Sequence, residues 1–111
     1  MTISLPNLLG DVTPLTVEEK RRWSDDAVEI VGLMAEWKEW NIRLESILGP
    51  VRKPAGKDPS REQERLAEPW GGIRNNQIYF EKSIEGQIAV ALVWPWGDKT
   101  HFTMKLGLTR A

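Results

Sequence analysis

The chain of 111 residues contains no cysteine and only one histidine. Without cysteine there can be no disulfide bond, no thiol catalysis and no thiolate metal site, and we expect no metal and no cofactor. Fifteen basic side chains are balanced by 16 acidic ones, so the chain lacks the basic excess with which most nucleic-acid binders neutralise phosphates. We therefore do not expect nucleic acid as a partner.

Long hydrophobic stretches are also missing. The longest apolar run, residues 88–96, is too short to cross a bilayer, and the first ten residues contain no Lys or Arg for a signal peptide. We therefore predict a cytoplasmic protein that makes no contact with a membrane. The length suits one domain, residues 1–111. Its predicted parts are an arm (1–15), a helical region (16–48), a loop (50–58), a short helix (59–68) and a β-meander (70–109).

Residues 16–48 have the apolar spacing of an amphipathic helix. Thr16 and Glu19 have the form of a capping box, and Gly49 is a typical helix end. The intervening apolar residues follow at intervals of three, four and seven: Trp23, Ala27, Ile30, Met34, Trp37, Leu44 and Leu48. The pattern predicts one long helix. Residues 24–26 form a second N-cap sequence, at which a short first helix would break before the long one begins.

The second half of the chain changes to the two-residue period of β-strands. Turn sequences at residues 75–76, 85–86 and 95–98 separate apolar segments, and links this short must join antiparallel strands. Three strands are predicted in this way, and a fourth at residues 70–74. The predicted fold class is therefore α+β, with the long N-terminal helix packed on a three- to four-stranded antiparallel β-meander.

The segment 87–94 is apolar on both of its faces, which is typical of a central strand covered from two sides. We expect the long helix to cover the face formed by Ile88, Val90, Leu92 and Trp94. The opposite face consists of Ala89, Ala91 and Val93. The arm, the short helix or another molecule must cover it. A partner protein, or a second copy of the chain in a homodimer, would bind at this second face.

Catalysis would have to be built on His101. Asp98 lies three residues before it, but strand alternation from an early strand start would send the two side chains to opposite faces. The sequence has no G-x-S-x-G motif and no second histidine to complete an H-x-x-x-H pair. An enzyme that uses His101 is therefore a minor alternative, and the sequence favours a protein without catalytic residues.

Six tryptophans are many for a chain of this length. Trp23, Trp37 and Trp94 lie on the apolar stripes and are assigned to the core. Trp70 and Trp96 stand beside glycines in turns, where packing does not easily bury them. Exposed indoles of this kind serve as anchors in protein interfaces, or as stacking surfaces for ligands.

These observations favour a non-enzymatic protein–protein interaction module, such as a small inhibitor, an immunity protein, an antitoxin or a phage-type antagonist. The alternative is a binder of small molecules or carbohydrates that stacks them on exposed aromatic rings. The residues predicted to bind the partner or ligand are Trp96, Trp70, Tyr79, Ala89, Ala91, Val93 and His101.

Overall fold

A computed structural model describes residues 4–12 and 15–110. Within these residues, five antiparallel strands form one sheet and three helices pack on its faces. The strands are β1 (Glu19–Ser24), β2 (Ala27–Leu33), β3 (Ile78–Ile84), β4 (Gln87–Pro95) and β5 (His101–Arg110). The helices are α1 (Leu5–Leu9), α2 (Trp37–Leu48) and α3 (Arg61–Ala67), with single 3-10 turns at Met34–Glu36 and Glu68–Trp70. The predicted α+β class and the antiparallel sheet are confirmed.

The strand order in the sheet is β1-β2-β5-β4-β3. The meander β3-β4-β5 follows the predicted turns, and β5 then pairs on its other edge with β2, where Ile30 lies opposite Met104. The sheet therefore has five strands rather than three or four. The strand predicted at residues 70–74 does not form, because a 3-10 turn ends at Trp70 and Gly71 adopts a left-handed conformation with φ 96°.

The prediction of one long N-terminal helix is wrong. Residues 19–33 form the hairpin β1-β2, and the helix α2 begins only at Trp37. Asp25 and Asp26 make the two-residue turn between paired Ser24 and Ala27, rather than a helix N-cap. β-Branched residues in β2 favour extended backbone, and as a strand β2 pairs on one edge with β1 and on the other with β5.

The predicted capping box at Thr16 is replaced by a long-range contact. The Thr16 backbone N–H donates to the Glu36 carboxylate over 2.8 Å, and its hydroxyl donates to the second oxygen over 3.3 Å. The arm is also partly helical, since Ser4 caps α1.

The first face of the sheet is covered over its central part by helices, and we call it the closed face. Helices α1 and α2 lie on it, and Trp40 and Leu44 are buried against Phe102 and Met104. The indoles of Trp37 and Trp40 meet the Phe102 ring edge-on, with ring centroids 5.3 and 6.2 Å apart. Burial of this many large apolar side chains supplies most of the stability expected of such a domain.

The second face is covered only in part, and we call it the half-open face. Leu66 and Ala67 of α3, with Trp70 and Ile73 beyond it, pack on strands β3 and β4. The side chains beneath this cover are Tyr79, Ile88, Val90 and Leu92. The assignment of faces made from the sequence is thus reversed, because α2 lies over the alanine face of β4 and the short helix lies over the isoleucine face.

Candidate functional site

The part of the half-open face that α3 leaves uncovered carries a mixed aromatic and charged surface. It lies over β1, β2, β5 and the Trp94 end of β4, and we call it the open half. Its side chains are Arg21, Arg22, Glu29, Trp70, Trp94, Trp96, His101, Thr103 and Lys105. It brings together residues from opposite ends of the chain, because β2 and β5 are neighbours in the sheet.

A β-bulge in β1 supplies two arginines to the open half. The register with β2 shifts between Lys20 and Arg22, and the extra residue is Arg21. Arg21 lies 3.6 Å from the Glu29 carboxylate and above the Trp96 ring, with 5.5 Å from the guanidinium carbon to the ring centroid. Arg22 is the cross-strand neighbour of Glu29 and lines the same face. Bulges commonly redirect side chains in this way near functional surfaces.

Lys105 stands at the centre of the open half. Its ammonium group donates to the Trp70 carbonyl over 3.1 Å and lies 3.5 Å from the Glu29 carboxylate. The Trp70 indole lies across β5 at Gly107, where a side-chain Cβ would overlap the ring. Glycine at 107 is therefore required for Trp70 to lie flat on the sheet. The ion pair and the carbonyl contact hold Lys105 and Trp70 in fixed positions.

Trp96 forms the other end of the open half. Its indole N–H donates to the buried Thr103 hydroxyl over 2.8 Å, and its ring packs on His101 with centroids 5.0 Å apart. The hairpin tip is closed by the Trp96 N–H, which donates to the His101 carbonyl over 2.8 Å. Trp96 is therefore half-buried and held in one orientation, with Arg21 on its surface.

Asp98 and His101 do form a pair, contrary to the expectation from strand alternation. The hairpin turn places Asp98 Oδ2 2.6 Å from His101 Nδ1, while Oδ1 accepts the Thr100 and His101 backbone N–H groups. The Thr100 bond and then the His101 side chain lower the pKa of the Asp98 carboxyl below its usual value. A hydrolytic dyad also needs a nucleophile bonded to the histidine, and no described hydroxyl is hydrogen-bonded to the His101 ring.

Two small clefts lie on either side of Trp70, with Lys105 in the wall of both. The first, about 180 Å³, reaches Arg22 and Glu29 on β1 and β2. The second, about 220 Å³, reaches Arg74 on the turn before β3 and Trp94 on β4. A further shallow groove runs along α3 and carries Glu64 and Glu68.

A buried lysine fixes the turn that borders the second cleft. Lys53 is 2% exposed, and its ammonium group donates to the carbonyls of Pro54, Asn75 and Gln77 over 3.0, 3.0 and 2.5 Å. Burial lowers the pKa of Lys53 from its usual value. Its backbone also pairs with Tyr79, so the loop 50–58 is attached to the edge of β3.

The structure places the predicted binding residues in three different environments. Trp70, Trp96 and His101 are half-buried and lie on the open half. Tyr79 is on the same face of the sheet but is fully buried beneath α3, where its hydroxyl donates to Glu81 over 2.9 Å. Burial and the Glu81 carboxylate raise the pKa of Tyr79 above its usual value.

The remaining three predicted residues are covered by the chain itself. Ala89, Ala91 and Val93 are 0, 0 and 2% exposed and belong to the core beneath α1 and α2. The surface proposed there is therefore closed to a partner, because the alanines leave room for the helices. Trp23, assigned to the core, is instead 38% exposed on the edge strand β1, with Lys20 4.2 Å above its ring.

Sequence reasoning missed most of the charged members of the open half. Arg21, Arg22 and Glu29 were placed in the predicted helix, so their proximity to β5 was not foreseen. Lys105 lies on the half-open side of β5, opposite Leu92. The β-branched residues of β2 were the one signal that could have revealed the hairpin.

Among residues 4–12 and 15–110, no cluster of acidic or histidine side chains is suited to hold a metal ion. In the same part of the chain, no helix has the length and apolar character needed to cross a membrane. Comparison with protein-family models, with curated proteins and with solved structures gave no match to the chain.

Proposed function

We propose that this chain is a non-enzymatic protein-binding module, of the kind represented by small inhibitors, immunity proteins, antitoxins and phage-type antagonists. It binds one partner protein through the open half. The observation that carries the proposal is the incomplete cover of the half-open face: α3 protects β3 and β4, while Trp96, Arg21 and Arg22 stay accessible over the other strands. Tryptophan and arginine are the residues most enriched at the energetic centres of protein interfaces.

The side chains of the open half are held by the sheet before a partner arrives. Trp96 is fixed by Thr103 and His101, and Lys105 by Trp70 and Glu29. Surfaces ordered in advance lose little side-chain entropy on binding, which favours affinity. Arg22 is the exception, since no described residue pairs with its guanidinium group, and it is exposed.

The partner contacts the face of the sheet rather than its edges. Strand β1 is exposed, carries four charged residues and contains the bulge, and these features oppose the addition of another strand. At the other edge, Lys53 already pairs with Tyr79 of β3. Binding by strand addition, which is common in peptide recognition, is therefore disfavoured at both edges.

Arg22→Gln and Lys20→Gln provide a matched test of this proposal. Both residues lie on β1 and carry one positive charge, but Lys20 lies over Trp23 on the closed side of the sheet. The tagged protein captures its partner from the source cells, and the purified partner is then titrated by calorimetry. Arg22→Gln should weaken binding about tenfold, as a contact residue at an interface centre does, and Lys20→Gln should leave it unchanged.

Equal loss of affinity in both variants, or in neither, would contradict binding through the open half. A partner that proves to be a second copy of the chain, seen as a dimer by light scattering, would replace the heterologous partner with a homodimer. A protein that stays monomeric and retains no partner under these conditions would overturn the proposed function.

A binder of small molecules or carbohydrates is the second candidate. The clefts beside Trp70 favour it, because indole rings next to polar side chains are typical of sugar sites. The platform of Trp70, Trp96 and Tyr79 suggested by the sequence is not available as such, since Tyr79 is buried. Quenching of tryptophan fluorescence by monosaccharides, lost in Trp70→Ala, is the expected result for this candidate.

A further inference from the structure

The cleft between Trp70 and Trp94 has the chemistry of an anion-binding site. Arg74 and Lys105 supply two cationic groups to its wall, and no carboxylate lines it. The groove along α3 contains Glu64 and Glu68, and the cleft on the other side of Trp70 contains Glu29. Of the three depressions, this one therefore has the most positive lining.

The two cationic side chains differ in how many hydrogen-bond and ion-pair partners they already have within the chain. Lys105 donates to the Trp70 carbonyl and pairs at 3.5 Å with Glu29, and its side chain is 26% exposed. Arg74 is exposed, and no described residue pairs with its guanidinium group. A guanidinium group with all of its N–H donors available is well suited to bind a carboxylate with two parallel hydrogen bonds.

The cleft wall is rigid, which separates it from an ordinary exposed loop. The Gln77 side-chain oxygen accepts the Arg74 backbone N–H over 2.9 Å, and Lys53 holds the Asn75 and Gln77 carbonyls from below. The acceptor oxygen of Gln77 is thus occupied, and its amide N–H₂ group stays free to donate. The site therefore offers the donors of Arg74, Lys105 and Gln77 between two indole rings.

We propose that this cleft binds the carboxylate of an acidic peptide segment, and that the partner protein presents such a segment to the open half. This inference rests on the proposed protein-binding function. Aromatic walls suit the methylene groups of a glutamate side chain, while the cations bind its carboxylate. A nucleic acid fits less well, because the chain lacks the basic excess with which most nucleic-acid binders neutralise many phosphates.

The test uses the full chain with ¹⁵N-labelled tryptophan and a blocked hexaglutamate peptide. The peptide should shift the indole N–H signals of Trp70 and Trp94, and hexaglutamine should not. Arg74→Gln should weaken the binding about fivefold to tenfold, because a charge-assisted bidentate contact is lost. The control Lys82→Gln removes the same charge from an exposed site opposite Ala89, on the closed side of the sheet, and should bind like the wild type.

Parallel titrations with inorganic phosphate and with oligothymidylate distinguish other anions from a peptide carboxylate. Absence of indole shifts, equal weakening in Arg74→Gln and Lys82→Gln, or tighter binding of either phosphate compound would overturn the inference. A chain that captures its partner but does not bind hexaglutamate would overturn this inference and leave the proposed function intact. Hexaglutamate binding by a chain that captures no protein would count against the proposed function instead.

Discussion

The two faces of the sheet differ in what covers them, although the same strands form both. On the closed face, α1 and α2 bury Trp40, Leu44 and Phe102 completely. On the half-open face, the short helix α3 contributes two buried side chains, and Lys105, Trp94 and Trp96 stay partly exposed. One face therefore stabilises the fold, while the other combines a small satellite core with an accessible surface.

The difference lies in the size of the covering element and in the strands it can reach. Together, α1 and the twelve residues of α2 cover the central part of one face, whereas the seven residues of α3 cover only the region of β3 and β4. Tertiary cover, rather than strand composition, thus decides where a surface remains for binding. Mutations on the closed face should affect stability first, and those on the open half should affect binding first.

Phe102→Ala should have the largest effect on stability. The ring is fully buried between Trp37, Trp40 and Gly32 on the closed face. Its removal should lower the free energy of unfolding by about 3–5 kcal/mol, a large part of the total for a domain of this size. Trp96→Ala on the open half should cost about 1–2 kcal/mol, for one hydrogen bond and one ring contact. Urea unfolding followed by circular dichroism measures both losses of stability. Equal losses would contradict the distinction between the two faces.

Two glycines allow the same substitution to be compared on each face. A Cβ at Gly32 would overlap the Phe102 ring, and a Cβ at Gly107 would overlap the Trp70 indole. Gly32→Ala should lower the free energy of unfolding by about 1–3 kcal/mol, because the packed side chains of the closed face leave no room for the added Cβ. Gly107→Ala should lower the free energy of unfolding by less, because Trp70 is partly exposed and can move into solvent. This movement should shift the tryptophan fluorescence to the red. A larger loss in Gly107→Ala would show that the half-open face is the more tightly packed one.

Lys53→Met should destabilise the turn that borders the anion cleft. The substitution removes the ammonium donor from the Pro54, Asn75 and Gln77 carbonyls, of which Asn75 keeps the Gly56 N–H, at a cost of about 1–3 kcal/mol. Lys57→Met is the control, because Lys57 lies exposed in the same loop. Hydrogen exchange should become faster around residues 75–79 in the first variant only. Unchanged exchange there would mean that Lys53 does not hold the turn.

Asp98 should give the smallest effect, and one that depends on pH. Its pKa in the folded protein is below the usual 3.8, so folding favours the ionised carboxylate. The stabilisation is therefore complete above the usual pKa and is lost as the pH falls through the lowered one. Between pH 5 and about pH 2, the wild type should lose more stability than Asp98→Asn. Parallel pH profiles of the urea midpoint would contradict a stabilising role for the Asp98 carboxylate, which binds the Thr100 N–H and the His101 side chain.

The meander was predictable because its turns have local sequences that are typical of turns. The pair of residues 85–86 and the alternation of β5 specify antiparallel strands without knowledge of the rest of the chain. The first hairpin was not predictable, because Trp23, Ala27 and Ile30 have the spacing of a helix by coincidence. β2 pairs with β5 across 68 to 80 residues of sequence, and no local pattern encodes this pairing.

The candidate site was likewise predictable only in part. The glycines beside Trp96 and Trp70 predicted that packing does not fully bury these two indoles, and both lie half-buried on the open half. Their neighbours Arg22 and Glu29 come from the misassigned hairpin, so the sequence did not connect them. The covered alanine face could not be foreseen either, because strand composition does not tell which helix packs on which side.

The six tryptophans give the most direct test of where binding occurs. Trp23, Trp37 and Trp40 belong to the closed side, and Trp70, Trp94 and Trp96 to the half-open face. The measurement is the indole N–H spectrum of the ¹⁵N-labelled chain, recorded with and without its captured partner. If the partner binds the open half, the signals of Trp70, Trp94 and Trp96 should shift while those of the other three stay in place. Shifts confined to Trp23, Trp37 and Trp40 would place the partner on the opposite side of the sheet and contradict binding at the open half.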